Sequence, residues 1–125
     1  MQLPDGLEIR ESPIEGLGLF TTRAIRKGQR LGEYTGTEML YRDFKLQYGT
    51  DFQHTYIKKR IYKPWVVRVA KGENRNYMTY LNDGVYGQTV PKVNVYLKSW
   101  FLYASCDIEP GEELLLEYMK RLYKK

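Results

Sequence analysis

The 125-residue sequence predicts a mainly β fold with short helices. Three observations carry that expectation. Apolar and polar residues alternate with period two in Leu7-Glu8-Ile9-Arg10 and in part of 30–34, as in strands with one buried face. Glycine punctuates these runs, leaving short strands rather than long helices. The chain also carries 12 tyrosines, a residue enriched in strands because it suits a pleated, half-buried surface.

Residues 7–10 read as the first strand. Lys27-Gly28 marks a turn, where glycine takes positive φ at little cost, and 30–34 leaves it as a strand. Leu40 and Phe44 stand at i,i+4 within 37–47, which predicts a helix there. Residues 52–62 and 65–69 read as strands, separated by Pro64, which cannot donate to a ladder. A short helical turn is expected over 76–81. Strands 93–97 and 100–104 are expected to pair, joined by Lys98-Ser99. Pro110-Gly111 is a second turn, with proline presetting one dihedral and glycine taking the next. No linker or low-complexity tract divides the chain. One domain is expected over 7–118, with 1–6 as a leader and 119–125 as a basic tail.

Composition excludes several classes. Hydrophobic residues make 42% and charged residues 28%, the balance of a soluble globular chain. No apolar run approaches a bilayer span and no charged-then-apolar leader opens the chain, so no membrane role is expected. A single cysteine, Cys106, excludes an internal disulfide and a cysteine-cluster zinc site, and is expected as a small buried side chain. His54 is also alone, whereas a metal site needs several convergent ligands. The net charge of +5 gathers in Lys58, Lys59, Arg60, Lys63, Arg68, Lys71 and Arg75. Such lysines and arginines are expected as a solvated surface, and nucleic-acid binding has only the net charge behind it. By contrast, 107–117 holds five acids and no base, a sign that suits a basic peptide.

Five segments carry the chemistry. Gly16-Leu17-Gly18-Leu19-Phe20 is followed by Ile25-x-x-Gly28-x-x-Leu31 and by Glu33-Tyr34-Thr35-Gly36. The spacing Ile-x-x-Gly-x-x-Leu recurs at Ile108-x-x-Gly111-x-x-Leu114, which runs on through Leu115-Leu116 to Glu117-Tyr118. Between them stands Arg75-Asn76-Tyr77-Met78-Thr79-Tyr80-Leu81-Asn82-Asp83-Gly84. In this order the segments resemble the SET domain, the fold of protein-lysine methyltransferases that use S-adenosylmethionine. The middle run keeps Asn76, Tyr80 and Asn82 of that family's Gly-Asn-x-x-Arg-Phe-Ile-Asn-His-Ser. Arg75, Thr79, Asp83 and Gly84 stand where the family has glycine, arginine, histidine and serine. This wording is similar to the PR subgroup of SET domains, some of which are active and some silent.

The resemblance implies a β-clip type fold of several small sheets and a set of site residues. Gly16, Leu17, Gly18, Asn82, Asp83 and Tyr118 would hold S-adenosylmethionine. The two glycines would let backbone approach its methionine end. Tyr118 would be catalytic, and Tyr34, Tyr80 and Leu116 would line a channel for the substrate lysine. It further implies a lysine-containing protein or peptide as partner, a histone tail in particular. A nuclear location is implied in a eukaryotic cell, or for a virus within one, and a cytoplasmic location otherwise. Many family members carry a cysteine-rich zinc segment after the final tyrosine; here stands Met119-Lys120-Arg121-Leu122-Tyr123-Lys124-Lys125, so no zinc is expected. A second reading stays open at this point: a catalytically silent PR-like module that binds a protein partner, which Thr79 and Asp83 favour.

Overall fold

The structure, a computed structural model, describes residues 3–48, 55–58, 66–70 and 76–117. In chain order the first strands are β1 (Leu7–Glu11), β2 (Leu17–Thr21), β3 (Arg30–Glu33), β4 (Thr37–Leu40), β5 (Thr55–Lys58) and β6 (Val66–Val69). A 3-10 helix, Tyr77–Tyr80, is followed by β7 (Asn82–Asp83), β8 (Val95–Lys98), β9 (Phe101–Ala104) and β10 (Leu115–Leu116). One α-helix, α1 (Tyr41–Tyr48), follows β4. These described strands form four small sheets: β1-β2, β3-β9-β8, β4-β6-β5, and a parallel pair of β10 with β7. The mainly β expectation holds.

The two Ile-x-x-Gly-x-x-Leu segments pair with each other. Ile25 and Ile108 exchange both backbone bonds, 2.9 Å from Ile25 N to Ile108 O and 2.8 Å in return. Each isoleucine is followed by the same turn. Gln29 N donates to Arg26 O and Glu112 N to Glu109 O, with Gly28 at φ 87 and Gly111 at φ 88. That left-handed third position is the type II pattern, which glycine enters without strain. Each turn is also closed by its own side chain, Gln29 Oε1 accepting from Arg26 N and Glu112 Oε2 from Glu109 N. The Glu109 amide, with Lys92 assisting and slight burial opposing, holds the Glu112 carboxyl below the usual carboxylate range. The glycine amides then reach strand ends, Gly28 N to Ala104 O and Gly111 N to Thr21 O.

Behind the turns lies the main core, built from Leu19, Ile25, Tyr34, Tyr77, Met78, Leu81, Leu102, Ile108, Leu114 and Leu116 among others. Full burial of such aliphatic side chains stabilises by about 1.5–3 kcal/mol each. Leu3 packs against this core, so part of the expected leader belongs to the fold. Burial, and secondarily the Glu33 carboxylate, pushes the Tyr77 hydroxyl up to about 12. Tyr77 therefore stays neutral at physiological pH and serves the core.

Several local expectations are corrected. Thr37–Leu40 is strand and not helix, because each residue pairs with β6, from Thr37 with Val69 to Leu40 with Val66. The helix begins only at Tyr41, and its buried Phe44 packs with Val67 and Val69. In the β8–β9 hairpin the turn is Ser99-Trp100, one residue later than expected, with φ 51 and φ 73. Two adjacent left-handed residues are the type I′ geometry favoured by strand twist, although Asn-Gly is its usual sequence. Arg68 holds Trp100 there, its guanidinium 4.5 Å above the ring, while Tyr34 N donates to Trp100 O. Cys106 is exposed, because it follows the end of β9 in an outward bend. Of strand 52–62 the described part is Thr55–Lys58; the remainder, with His54 and Pro64, lies outside the described residues.

Candidate functional site

The Gly16-Leu17-Gly18 segment closes the β1–β2 hairpin. Ser12 N donates to Gly16 O at 2.8 Å, and Ser12 Oγ accepts from Ile14 N at 3.0 Å, so one serine shapes the loop from both sides. Gly16 sits at φ 46, with nothing within 4 Å of where a Cβ would stand. Gly18 differs. It lacks a left-handed φ, and a Cβ there would overlap Glu113 Oε2 and stand 2.9 Å from Glu113 Cδ. The room left by Gly18 is filled by this chain's own carboxylate.

Glu113 is the connection that sequence reasoning missed. It is buried, and it forms a bridge with Phe20 next to Gly111-Glu112. Its carboxylate accepts from Ser12 Oγ at 2.8 Å and from Asn82 Nδ2 at 2.8 Å. A buried carboxylate is costly without such donors. Asn82 Nδ2 also reaches the carbonyls of Glu15 and Leu17, both at 3.2 Å. Asn82 thus spends its amide nitrogen on the hairpin loop and on Glu113. The signal in the sequence was its position: Glu113 immediately precedes Leu114-Leu115-Leu116, a run whose burial continues through it.

Asp83, standing in the family's histidine position, is used locally. Its Oδ1 accepts from Val85 N at 2.9 Å and Tyr86 N at 3.3 Å, closing the turn after β7. The following Gly84 is buried; its N donates to Leu116 O and its O accepts from Lys92 N, both at 2.8 Å. On the other side of β10, Asn94 is fully enclosed. Its Oδ1 accepts from Leu115 N at 2.8 Å and its Nδ2 donates to Glu113 O at 2.9 Å. β10, which ends two residues before Tyr118, is therefore gripped from both flanks.

Of the three expected channel residues, two are core residues and the third borders the core. Tyr34 and Leu116, each 4% exposed, lie in the main core, and Tyr80 packs against it from the 3-10 helix. That helix is capped by Asn76, whose Oδ1 accepts from Met78 N at 2.8 Å while its Nδ2 donates to Thr35 Oγ1 at 2.7 Å. The cap ties Tyr80's helix to the Glu33-Tyr34-Thr35-Gly36 segment. Tyr118 lies outside the described residues. Three acids of the 107–117 stretch are engaged within the fold: Glu113 is buried, Asp107 Oδ1 accepts from Lys27 N, and Glu112 closes its turn and pairs with Lys92 at 3.1 Å. Among the described residues, no three His, Cys, Asp or Glu side chains converge as metal ligands would.

Asn82 and Glu113 thus draw the hairpin loop and the paired strands β7 and β10 together. The model of the SET domain matches residues 16–119, and the chain belongs to that family. It is 30% identical over 125 residues to the mouse (Mus musculus) histone-lysine N-methyltransferase MECOM, across 94% of this chain and 9% of that protein. It is 29% identical over 127 residues to the zebrafish (Danio rerio) N-lysine methyltransferase KMT5A-A, across 95% of this chain and 37% of that protein. The chain thus spans a minor part of either relative. The methyltransferase domain of human PR domain-containing protein 2 superposes with a TM-score of 0.64 at 23% identity, covering 90% of this chain and 76% of that one.

Proposed function

We propose that this chain is an S-adenosylmethionine-dependent protein-lysine N-methyltransferase that acts on a histone tail in the nucleus. What supports the reading most is the bond from Asn82 to the Glu15 and Leu17 carbonyls, which joins the hairpin loop to the strand pair leading toward Tyr118. The residues present suit the cofactor. Gly16 is exposed with an open side, so a ligand meets bare backbone there, and Leu17, 47% exposed, offers apolar surface beside it. Gly16, Leu17 and the segment Asn82-Asp83 would hold the cofactor, with Gly18 and Glu113 supporting the loop from behind. The cofactor supplies an electrophilic methyl group on a sulfonium. The chain contributes positioning and electrostatics. A free lysine amine, of pKa about 10.4, must enter uncharged, and burial among Tyr34, Tyr80 and Leu116 would disfavour its charged form. The Tyr118 hydroxyl would then orient the amine lone pair.

Thermal unfolding tests the reading. A ligand that binds only the folded state at a hundredfold excess over its Kd stabilises by about 2.7 kcal/mol, on the order of 10 °C for a domain of this size. S-adenosylmethionine and its demethylated product should both raise Tm by that order, and methyl transfer to a histone peptide should follow. A Tm indifferent to both ligands would overturn the proposal. Binding without transfer to any histone or peptide would favour the silent PR-like module.

Product state gives a second expected outcome. Leu116 supplies no hydroxyl to hold a water beside the amine, which leaves room for a methylated nitrogen. The wild type should proceed beyond monomethyl-lysine, as read by mass spectrometry of a peptide driven to completion. A product stalled at one methyl group would remove Leu116 from control of the pocket.

A further inference from the structure

We infer that Glu113 is a positioning residue for the cofactor: its carboxylate sets the shape of the Ser12–Gly18 loop, and through that loop the affinity for the methyl donor. The inference rests on the proposed function and adds a residue that does not itself touch ligand. Three contacts carry it. Ser12 Oγ donates to one carboxylate oxygen and Asn82 Nδ2 to the other, each at 2.8 Å. The second oxygen also fills the space where a Gly18 Cβ would be. The carboxylate thus reaches the loop at its start, through Ser12, and at its end, beside Gly18. Asn82, held by the same group, carries the carbonyls of Glu15 and Leu17 between those points.

The backbone of Gly18 has no left-handed φ to protect, so its requirement for glycine is one of space alone. An alanine there must push Glu113 aside. A carboxylate at the end of a flexible side chain can ordinarily move, but this one is buried and would lose both donors in moving. Gly18→Ala and Glu113→Ala should therefore damage the same thing. If Gly18 were glycine only so that ligand could approach, the two changes would act independently.

The test is a double-mutant cycle read by calorimetric titration with S-adenosylmethionine and by KM for donor and peptide. Glu113→Ala should weaken donor binding at least ~10-fold while peptide KM stays within about twofold, a split that general loosening of the fold would not produce. Glu113→Gln, whose amide oxygen can still accept from Asn82 while its amide nitrogen donates to Ser12 Oγ, should return affinity to within about threefold of wild type. Gly18→Ala should weaken binding ~10-fold in the wild-type background and less than about threefold beside Glu113→Ala. Should Glu113→Ala fail to fold, Ser12→Ala removes one contact outside the core and should still weaken the donor severalfold. Wild-type donor affinity in Glu113→Ala or Ser12→Ala, or full additivity with Gly18→Ala, overturns the inference and leaves the methyltransferase reading standing. A wild type that binds no donor overturns that reading, and the inference with it.

Discussion

Gly84→Ala is expected to lower Tm by roughly 10–20 °C, corresponding to about 3–5 kcal/mol for a domain of this size. A Cβ at Gly84 would overlap the Lys92 carbonyl oxygen and stand 2.9 Å from Leu115 Cβ and 3.0 Å from the Lys92 carbonyl carbon. The obstruction is backbone, which cannot swing aside as a side chain can. Relief requires separating the 84 and 92 segments, and that breaks the bonds Lys92 N to Gly84 O and Gly84 N to Leu116 O. Each such break in a buried setting costs about 1–3 kcal/mol. The SET pattern has serine at this position, so Gly84→Ser looks like a restoration in sequence. The geometry predicts the opposite: serine carries the same Cβ and should destabilise at least as much as alanine. Differential scanning calorimetry of both variants decides it, and a serine variant as stable as wild type would mean that the 84–92 contact yields freely.

That position shows where the sequence was legible and where it was not. Local rules were readable. Gly28 and Gly111 announced turns because positive φ is a property of one residue, and both lie in the left-handed region. Asn76 to Leu81 read as a helical turn because its cap acts within a few residues of the chain. What sequence could not reveal were the partners across space. The two Ile-x-x-Gly-x-x-Leu segments read as a recurring spacing, which does not reveal that Ile25 and Ile108 hydrogen-bond to each other. Thr37–Leu40 carries helical spacing into Phe44, but pairing with β6 outweighs that weak preference. Ser99-Trp100 lacks the Asn-Gly of a type I′ turn, and Arg68, distant in the chain, stabilises it instead. In the site the same distinction holds. The loop, Asn82 and the strand toward Tyr118 were legible as motifs. The reason Gly18 must be small was not, because Glu113 lies far along the chain and read only as one of the five acids of 107–117.

Tyr118→Phe is expected to lower methyl transfer on the order of 100-fold or more, with cofactor affinity nearly unchanged. The substitution keeps the ring and deletes only the hydroxyl, so it separates packing from chemistry. The loss follows from what the reaction asks of the protein. A sulfonium is already a good leaving group, so little covalent help is needed, and the barrier lies in presenting a neutral amine in line with the transferring methyl. In the proposed mechanism a single hydroxyl at the end of an apolar channel would supply that orientation without ionising. Its removal should therefore act on kcat more than on either KM. The preceding strand suits that role, since β10 is bonded to Gly84 and Asn82-Asp83 on one flank and to Asn94 on the other. A strand held this way would transmit little strain from the loss of one oxygen, and Tm should stay within a few degrees. Single-turnover transfer to a lysine peptide, measured beside calorimetric titration with S-adenosylmethionine, distinguishes the outcomes. Retained turnover would reduce Tyr118 to a packing residue and remove the proposed chemistry. Lost cofactor binding would move it from the reacting amine to the cofactor's own contacts.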